Sequence, residues 1–269
     1  FGRVPAYPLS PFGSVAHLGP HAMTVEDVAL LMNTIALPDA RDWTSLPFDG
    51  VDYVAGLKGG VKGLRVAYSP TLGYAKNIDP EIAAATAQAA KHLQDLGAVV
   101  EQVDPLNEDP LDITTGLWFA GAYQVWRSLS PAQQAVTDPD FKAQAELGAQ
   151  LDTNAIHALN QRRGVLGSHL RQFMQRFDLI LTPSTAVTAF KALPAGHSPM
   201  DSQAMLGWTP FSYPFNLSQQ PAISLPCGLS SHGLPMGVQL VGPMFGDALV
   251  LQAAQALQAC YPMQRPVLS

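Results

Sequence analysis

The sequence predicts an α/β domain in which a mixed β-sheet is flanked by helices, and three patterns carry that prediction. Leu64 to Ser69, an alanine-rich stretch opened by Asp79-Pro80, and Ala98 to Val103 follow one another as strand, helix and strand. That order is a βαβ unit, with parallel strands joined by a right-handed crossover. Asp178-Leu-Ile-Leu-Thr-Pro183 reads as a further strand stopped by proline. Ala222 to Cys227 and Met236 to Val241 flank His232-Gly233 and read as a hairpin. Parallel units followed by a hairpin make a mixed sheet, and the intervening helical segments must cover it.

Each element has a local reason. Thr24 followed by Asp27 is a capping-box variant, and Val28, Leu31 and Ile35 recur at helical spacing. A helix from Val25 to Ile35 follows, ending before Pro38; Pro38 to Val51, rich in Pro, Asp and Ser, is a surface loop. The glycines between Gly56 and Gly63 suggest a phosphate-binding loop, but such a loop follows a strand and opens a helix, whereas this run precedes the strand at Leu64. A flexible turn feeding a strand is the better reading. Asp79 supplies an N-cap with proline at the first helical position, and Gly97 stops that helix after Leu96. Asp112 to Phe177 is helical, interrupted at Pro131 and Pro139, with a new cap at Thr153. Ser184 to Gly207 is irregular, and a last helix runs from Asp247 to Cys260.

Composition excludes several classes of function. With 269 residues, 47% apolar and 13% charged, the chain can bury a sizeable core as one soluble domain. Fifteen basic against 21 acidic residues give a net charge of -6, with no basic stretch interleaved with aromatics, so neither nucleic acid nor an anionic membrane is an expected partner. Apolar runs such as Val28 to Met32 fall far short of the roughly 20 residues that span a bilayer. Cys227 and Cys260 have no His or Cys at metal-ligand spacing, which predicts no disulfide framework, no zinc site and a reducing cytoplasm. Phe1-Gly-Arg-Val-Pro-Ala-Tyr-Pro has no initiator Met and no signal-peptide character, and reads like the middle of a longer chain.

Candidate chemistry is sparse. No G-x-S-x-G turn is present. His17 and His21 are four apart, but Gly19-Pro20 between them argues against a helix that would make them joint ligands. Glu101 and Asp104 form a carboxylate pair that could be read as glycosidase-like, although a solvated strand end is the simpler reading. Residue patterns alone therefore end at an α/β domain without a visible active site.

The run Tyr213-Pro-Phe-Asn216-Leu-Ser-Gln-Gln-Pro221-Ala-Ile-Ser-Leu-Pro226-Cys-Gly228, followed by Gly233-Leu-Pro-Met-Gly-Val-Gln239-Leu-Val-Gly-Pro243, resembles the C-terminal hairpin segment of the amidase-signature family. Phe1-Gly-Arg-Val-Pro, Gly19-Pro with Thr24-Val-Glu-Asp, Asp42-Trp-Thr-Ser, Leu64-Arg-Val-Ala-Tyr and Asp178-Leu-Ile-Leu-Thr-Pro agree in the family's order. The resemblance implies an amidase-signature fold incomplete at the N-terminus, with residues 1–269 as the C-terminal portion of a single domain. It implies amide hydrolysis by a serine nucleophile, assisted by a second serine and a lysine. In the family those three residues precede the Phe-Gly-Arg-Val-Pro block, so no catalytic residue is assigned in this chain, and no metal or cofactor is expected. The segment Trp208, Thr209, Phe211 and Tyr213, with Trp118 and Phe119, is the implied wall of a pocket for a small-molecule amide; core packing is the alternative for each aromatic. Three functional readings stay open: part of a bacterial-type amidase, the glutaminase component of a transamidating complex, or a non-catalytic module that binds a partner. Thr209 stands where that glutaminase is expected to carry an acidic residue, which argues against the second. Self-association, or binding to a missing N-terminal half, is expected of the isolated chain.

Overall fold

The computed structural model describes residues 1–191 and 208–261. Strands β1 (Arg65–Tyr68), β2 (Val99–Gln102), β3 (Leu179–Pro183), β4 (Ala222–Leu229) and β5 (Pro235–Val241) form a five-stranded sheet in the order β2-β1-β3-β5-β4. β1 pairs in parallel with β2 and β3. The hairpin strand β5 pairs antiparallel with both β3 and β4, so the sheet is mixed as the sequence predicts. β3 sits at its centre, which is why every residue of Leu179–Pro183 is buried.

Helices α1 (Val25–Ile35), α2 (Pro80–Asp95) and α8 (Asp247–Gln258) cover one face. Their apolar stripes, including Ala29, Ile82, Leu93, Val250 and Leu257, meet Val66, Leu179, Leu181, Val238 and Leu240 in the main core. Burial of each large side chain there contributes about 1.5–3 kcal/mol. On the other face Ala67, Ile180 and Val241 pack with Leu72, Phe177, Phe211 and Phe215. Helices α3 (Leu111–Ser128), α4 (Pro131–Ala135), α5 (Pro139–Gly148) and α6 (Thr153–Phe173) form a further layer. There α5 rests against α3 so closely that a Cβ on Gly148 would strike the Phe119 carbonyl.

The order β2-β1-β3 makes a topological switch point, because the connections leave β1 on opposite sides. Open α/β sheets usually hold ligands in the crevice beyond the strand ends there. In this chain the segments leaving β1 and β3 close it: Leu72, Ala186 and Phe211 are buried in one cluster with Ala67 and Ile180. The Tyr74 hydroxyl donates to the Pro210 carbonyl across the same gap. An open site must therefore lie elsewhere.

Several details differ from the sequence prediction. Tyr213–Ser218 forms a short helix, α7, that the sequence pattern does not predict; Pro214 stands in its first turn and Gln219, at φ 66°, ends it. Its six residues are too few for a periodicity to show, and its stability comes from burial of Tyr213, Phe215 and Leu217. Asp152 rather than Thr153 caps α6, its carboxylate accepting the Ala155 amide at 2.7 Å. Pro131 and Pro139 begin helices as well as interrupting the segment, each behind a capping side chain, Ser130 or Asp138. The glycine run is ordered as a 3-10 turn over Ala55–Gly59, tied down where Gln252 Nε2 donates to the Gly60 carbonyl at 2.7 Å. Of the irregular stretch predicted from Ser184 to Gly207, residues 192–207 lie outside the described residues; Ser184 to Lys191 has no regular structure. The helical stretch predicted to reach Phe177 ends four residues earlier, at Phe173, and the remaining elements stand within two residues of their predicted ends.

Candidate active-site cleft

The open site follows from the sheet order. β4 is an edge strand, so one side of its backbone has no partner strand among the described residues. A cleft of about 410 Å³ runs along this edge, between α7 and the N-terminal segment, with α1 and α8 at its base.

The N-terminal segment has little regular structure and is held by side chains. Arg163 of α6 reaches across to donate from Nε to the Leu217 carbonyl (2.8 Å), from Nη1 to Ser14 Oγ (2.7 Å) and from Nη2 to the Ser14 carbonyl (2.9 Å). This guanidinium thus satisfies a carbonyl at the end of α7 and fixes the 3-10 turn Gly13–Val15 against it. Asn216 Nδ2 adds a bond to the Val15 carbonyl at 2.8 Å, and the Phe12 ring stacks on Trp118 with centroids 4.0 Å apart. Farther along, the Asp42 carboxylate accepts from the Ala6 amide, the Thr44 amide and the Thr44 hydroxyl, at 2.8, 2.8 and 2.6 Å. The Thr44 hydroxyl, with those amides, holds the Asp42 carboxyl below its ordinary range. Arg3, which also lines the cleft, pairs with Asp49 at 2.7 Å and lies 3.7 Å from Asp247.

Toward β4 the lining is neutral and polar: Ser212, Asn216, Gln220, Ser224 and Gln239. Thr182, Gln239 and Ser224 are register partners across β3, β5 and β4, so they lie in one row on one face. Gln239 Nε2 donates to Thr182 Oγ1 (3.2 Å) and to the Phe211 carbonyl (2.8 Å). Ser224 Oγ lies 2.6 Å from Ser184 Oγ. This arrangement can accept and donate hydrogen bonds to an uncharged group. Among the described residues, no set of three or more His, Cys, Asp or Glu gathers in a metal-holding cluster.

The side chains predicted for the pocket wall take up different positions. Phe211 is fully buried in the second core. Tyr213 is 4% exposed; its hydroxyl donates to Asp109 at 2.7 Å and its ring stacks at 6.3 Å on Tyr74. Burial drives both phenols well above their usual range. Trp208 is 37% exposed and stands edge-on to Phe190, 6.0 Å between centroids. Thr209 opens the turn into α7, its carbonyl accepting from the Ser212 amide at 3.1 Å. Trp118 packs behind the N-terminal segment with Val15, Ile113 and Leu217, and Phe119 on the same helix is half-buried beside Gly148. The cleft wall itself comes from their neighbours Ser212, Phe215 and Asn216. Sequence reasoning passed over Ser184, Ser212, Ser224 and Gln239. The signal for Ser224 and Gln239 was present as polar residues within otherwise apolar strands, whereas Ser184 and Ser212 lie outside the strands and gave none.

The profile of the Amidase family matches residues 1–251. An acylamidase of Rhodococcus erythropolis is 31% identical, aligned over 93% of this chain and 54% of its own length. The A subunit of the glutamyl-tRNA(Gln) amidotransferase from Chloroflexus aurantiacus is 30% identical, over 99% of this chain and 59% of its own. Among solved structures, 6-aminohexanoate cyclic dimer hydrolase superposes with a TM-score of 0.85 at 25% identity, covering 98% of this chain and 60% of the other. A bacterial aryl acylamidase of the amidase-signature enzymes superposes with a TM-score of 0.82 at 26% identity, covering 97% and 57%. The chain thus spans 54% to 59% of the length of these two curated relatives.

Proposed function

This chain belongs to the Amidase family, and we propose that it is the C-terminal portion, residues 1–269, of a single-domain amidase that hydrolyses carboxylic amides to an acid and an amine or ammonia. In this reading the serine nucleophile, the second serine and the lysine come from the polypeptide that the relatives carry beyond the matched length. The acyl group lies in the cleft along β4, and the remaining polypeptide packs on the free edge of that strand. A reducing cytoplasm belongs to the same reading, with Cys227 and Cys260 as free thiols; among the described residues no helix is long and apolar enough to cross a membrane.

One observation carries the proposal. Around Ser224 the cleft offers neutral hydrogen-bonding groups but no activated nucleophile: the Ser224 hydroxyl has only Ser184 as its partner, with no Lys, His or carboxylate bonded to either oxygen among the described residues. Residues 1–269 alone are therefore expected to hydrolyse no aryl amide and to take no fluorophosphonate label. The protein expressed with its upstream coding sequence is expected to do both, at a single serine. Stoichiometric labelling of any serine within residues 1–269 would refute the assignment.

The relationship to the amidotransferase supports a second reading, a glutaminase. The neutral lining near β4 argues for the first, since the ammonium of glutamine would lack a carboxylate partner beside Ser224. Release of glutamate and ammonia from free glutamine, measured beside aryl-amide turnover, separates the two.

A further inference from the structure

The polar row across the sheet is the feature that packing alone leaves unexplained. One pleat away, the same face carries Ile180 and Val241, both fully buried aliphatic side chains. At Thr182, Gln239 and Ser224 it turns polar, running from a fully buried threonine to an exposed serine at the cleft. Gln239 uses its amide protons on Thr182 and the Phe211 carbonyl, which leaves its side-chain oxygen without a donor among the described residues. Ser224 and Ser184 meet over Gly237, whose amino-acid choice is decisive: a Cβ there would approach the two hydroxyl oxygens to 3.3 and 3.0 Å. Two hydroxyls that share one hydrogen bond keep one O–H and several lone pairs for another partner, and the shared bond polarises what remains.

Ser224 faces the cleft, and Ser184 is anchored by its own backbone amide, which donates to the Gly237 carbonyl at 2.9 Å. The geometry points to Ser224, held by Ser184 over Gly237, as a specificity-determining residue that hydrogen-bonds a neutral polar group, a carbonyl or hydroxyl, on the acyl part of the substrate. The group is neutral because Ser212, Asn216, Gln220 and Gln239 bring no charge to balance an ion, while the charged groups of the cleft are engaged elsewhere: Arg3 pairs with Asp49 and lies 3.7 Å from Asp247, and Asp42 accepts from Ala6 and Thr44. This inference rests on the amidase reading and on the acyl group occupying the cleft.

The test uses the full-length protein and two anilides of similar size, one with a plain alkyl acyl chain and one with a carbonyl or hydroxyl within it. Ser224→Ala is expected to raise KM for the polar anilide about tenfold more than for the alkyl anilide, the effect of losing one hydrogen bond, with the change falling on KM rather than on kcat. Ser184→Ala and Gly237→Ala, which unseat Ser224 without removing it, are expected to act in the same direction, and Ser224→Thr to retain the preference. Thermal melting of each variant identifies any that fails to fold, and Ser224, being exposed, is the substitution least able to do so. If Ser224→Ala shifts both anilides equally, or neither, the inference is overturned while the amidase reading stands. If the wild-type protein hydrolyses neither anilide, the amidase reading fails and takes this one with it.

Discussion

Phe211→Ala is expected to destabilise the protein by about 3–5 kcal/mol, the range for truncating a large buried aromatic, whereas Trp208→Ala should cost under about 1 kcal/mol. Both belong to one predicted pocket segment, and the structure gives them opposite surroundings. Phe211 has no exposed surface and packs with Leu72, Phe177, Ile180 and Phe215, while its carbonyl holds Gln239. Its loss opens a cavity and disturbs the polar row from below. Trp208 keeps 37% of its surface exposed, so its loss leaves little void. If Trp208 contacts substrate, its variant should reorder acyl preferences by about 1–3 kcal/mol in kcat/KM, the scale on which apolar pockets discriminate. Urea unfolding and kcat/KM over a series of anilides check both halves. Equal stability of the two variants would contradict the burial assigned to Phe211, and an unchanged acyl ranking for Trp208→Ala would remove it from the pocket.

Arg163→Ala is expected to cost about 2–4 kcal/mol, because it strips donors from the Leu217 and Ser14 carbonyls, each worth about 1–3 kcal/mol when left unsatisfied in a buried site. Lysine should not rescue it. A single ammonium cannot reproduce the planar fork that spans Leu217 on one side and both oxygens of Ser14 on the other. The same clamp holds the 3-10 turn that forms one wall of the cleft, so in the full-length protein KM for amides should rise before kcat falls. Denaturant midpoints for the Ala and Lys variants are the measurement. A loss under about 0.5 kcal/mol, the ordinary range for a surface change, would mean that water replaces the guanidinium and that the turn is held by Asn216 and Phe12 instead.

Local chemistry made most of the framework legible. Thr24 and Asp79 accept the amide hydrogen bonds that cap α1 and α2. Gly97, at φ 93°, follows the last turn of α2, and the hairpin turns at Ser230 to Gly233, where the Gly233 amide donates to the Ser230 carbonyl. Such signals act over one to four residues, and they survive in a sequence read alone. Where they were absent the reading slipped. The helix Tyr213–Ser218 has no cap of its own, since Ser212 makes no side-chain bond to it, and it exists because the second core buries it.

The candidate site was less legible. The motif run from Tyr213 to Pro243 carried the family likeness, yet which side chains face the cleft depends on partners far away in sequence. Tyr213 turns inward because Asp109 and Tyr74 receive it, and Asn216 turns toward the N-terminal segment because Val15 presents a carbonyl there. Ser184 and Ser224 are 40 residues apart in sequence and 2.6 Å apart in space only because β5 lies between their strands with a glycine at the crossing. From its residues alone this protein determined its α/β class, its capped helices, its hairpin and its family likeness, all consequences of short-range sterics, hydrogen bonding and residue order. The tertiary structure decided the strand order, the closed switch point, the cleft along β4 and the row of polar groups that faces it, because those depend on long-range packing and register, in which one pleat separates a core residue from a site residue.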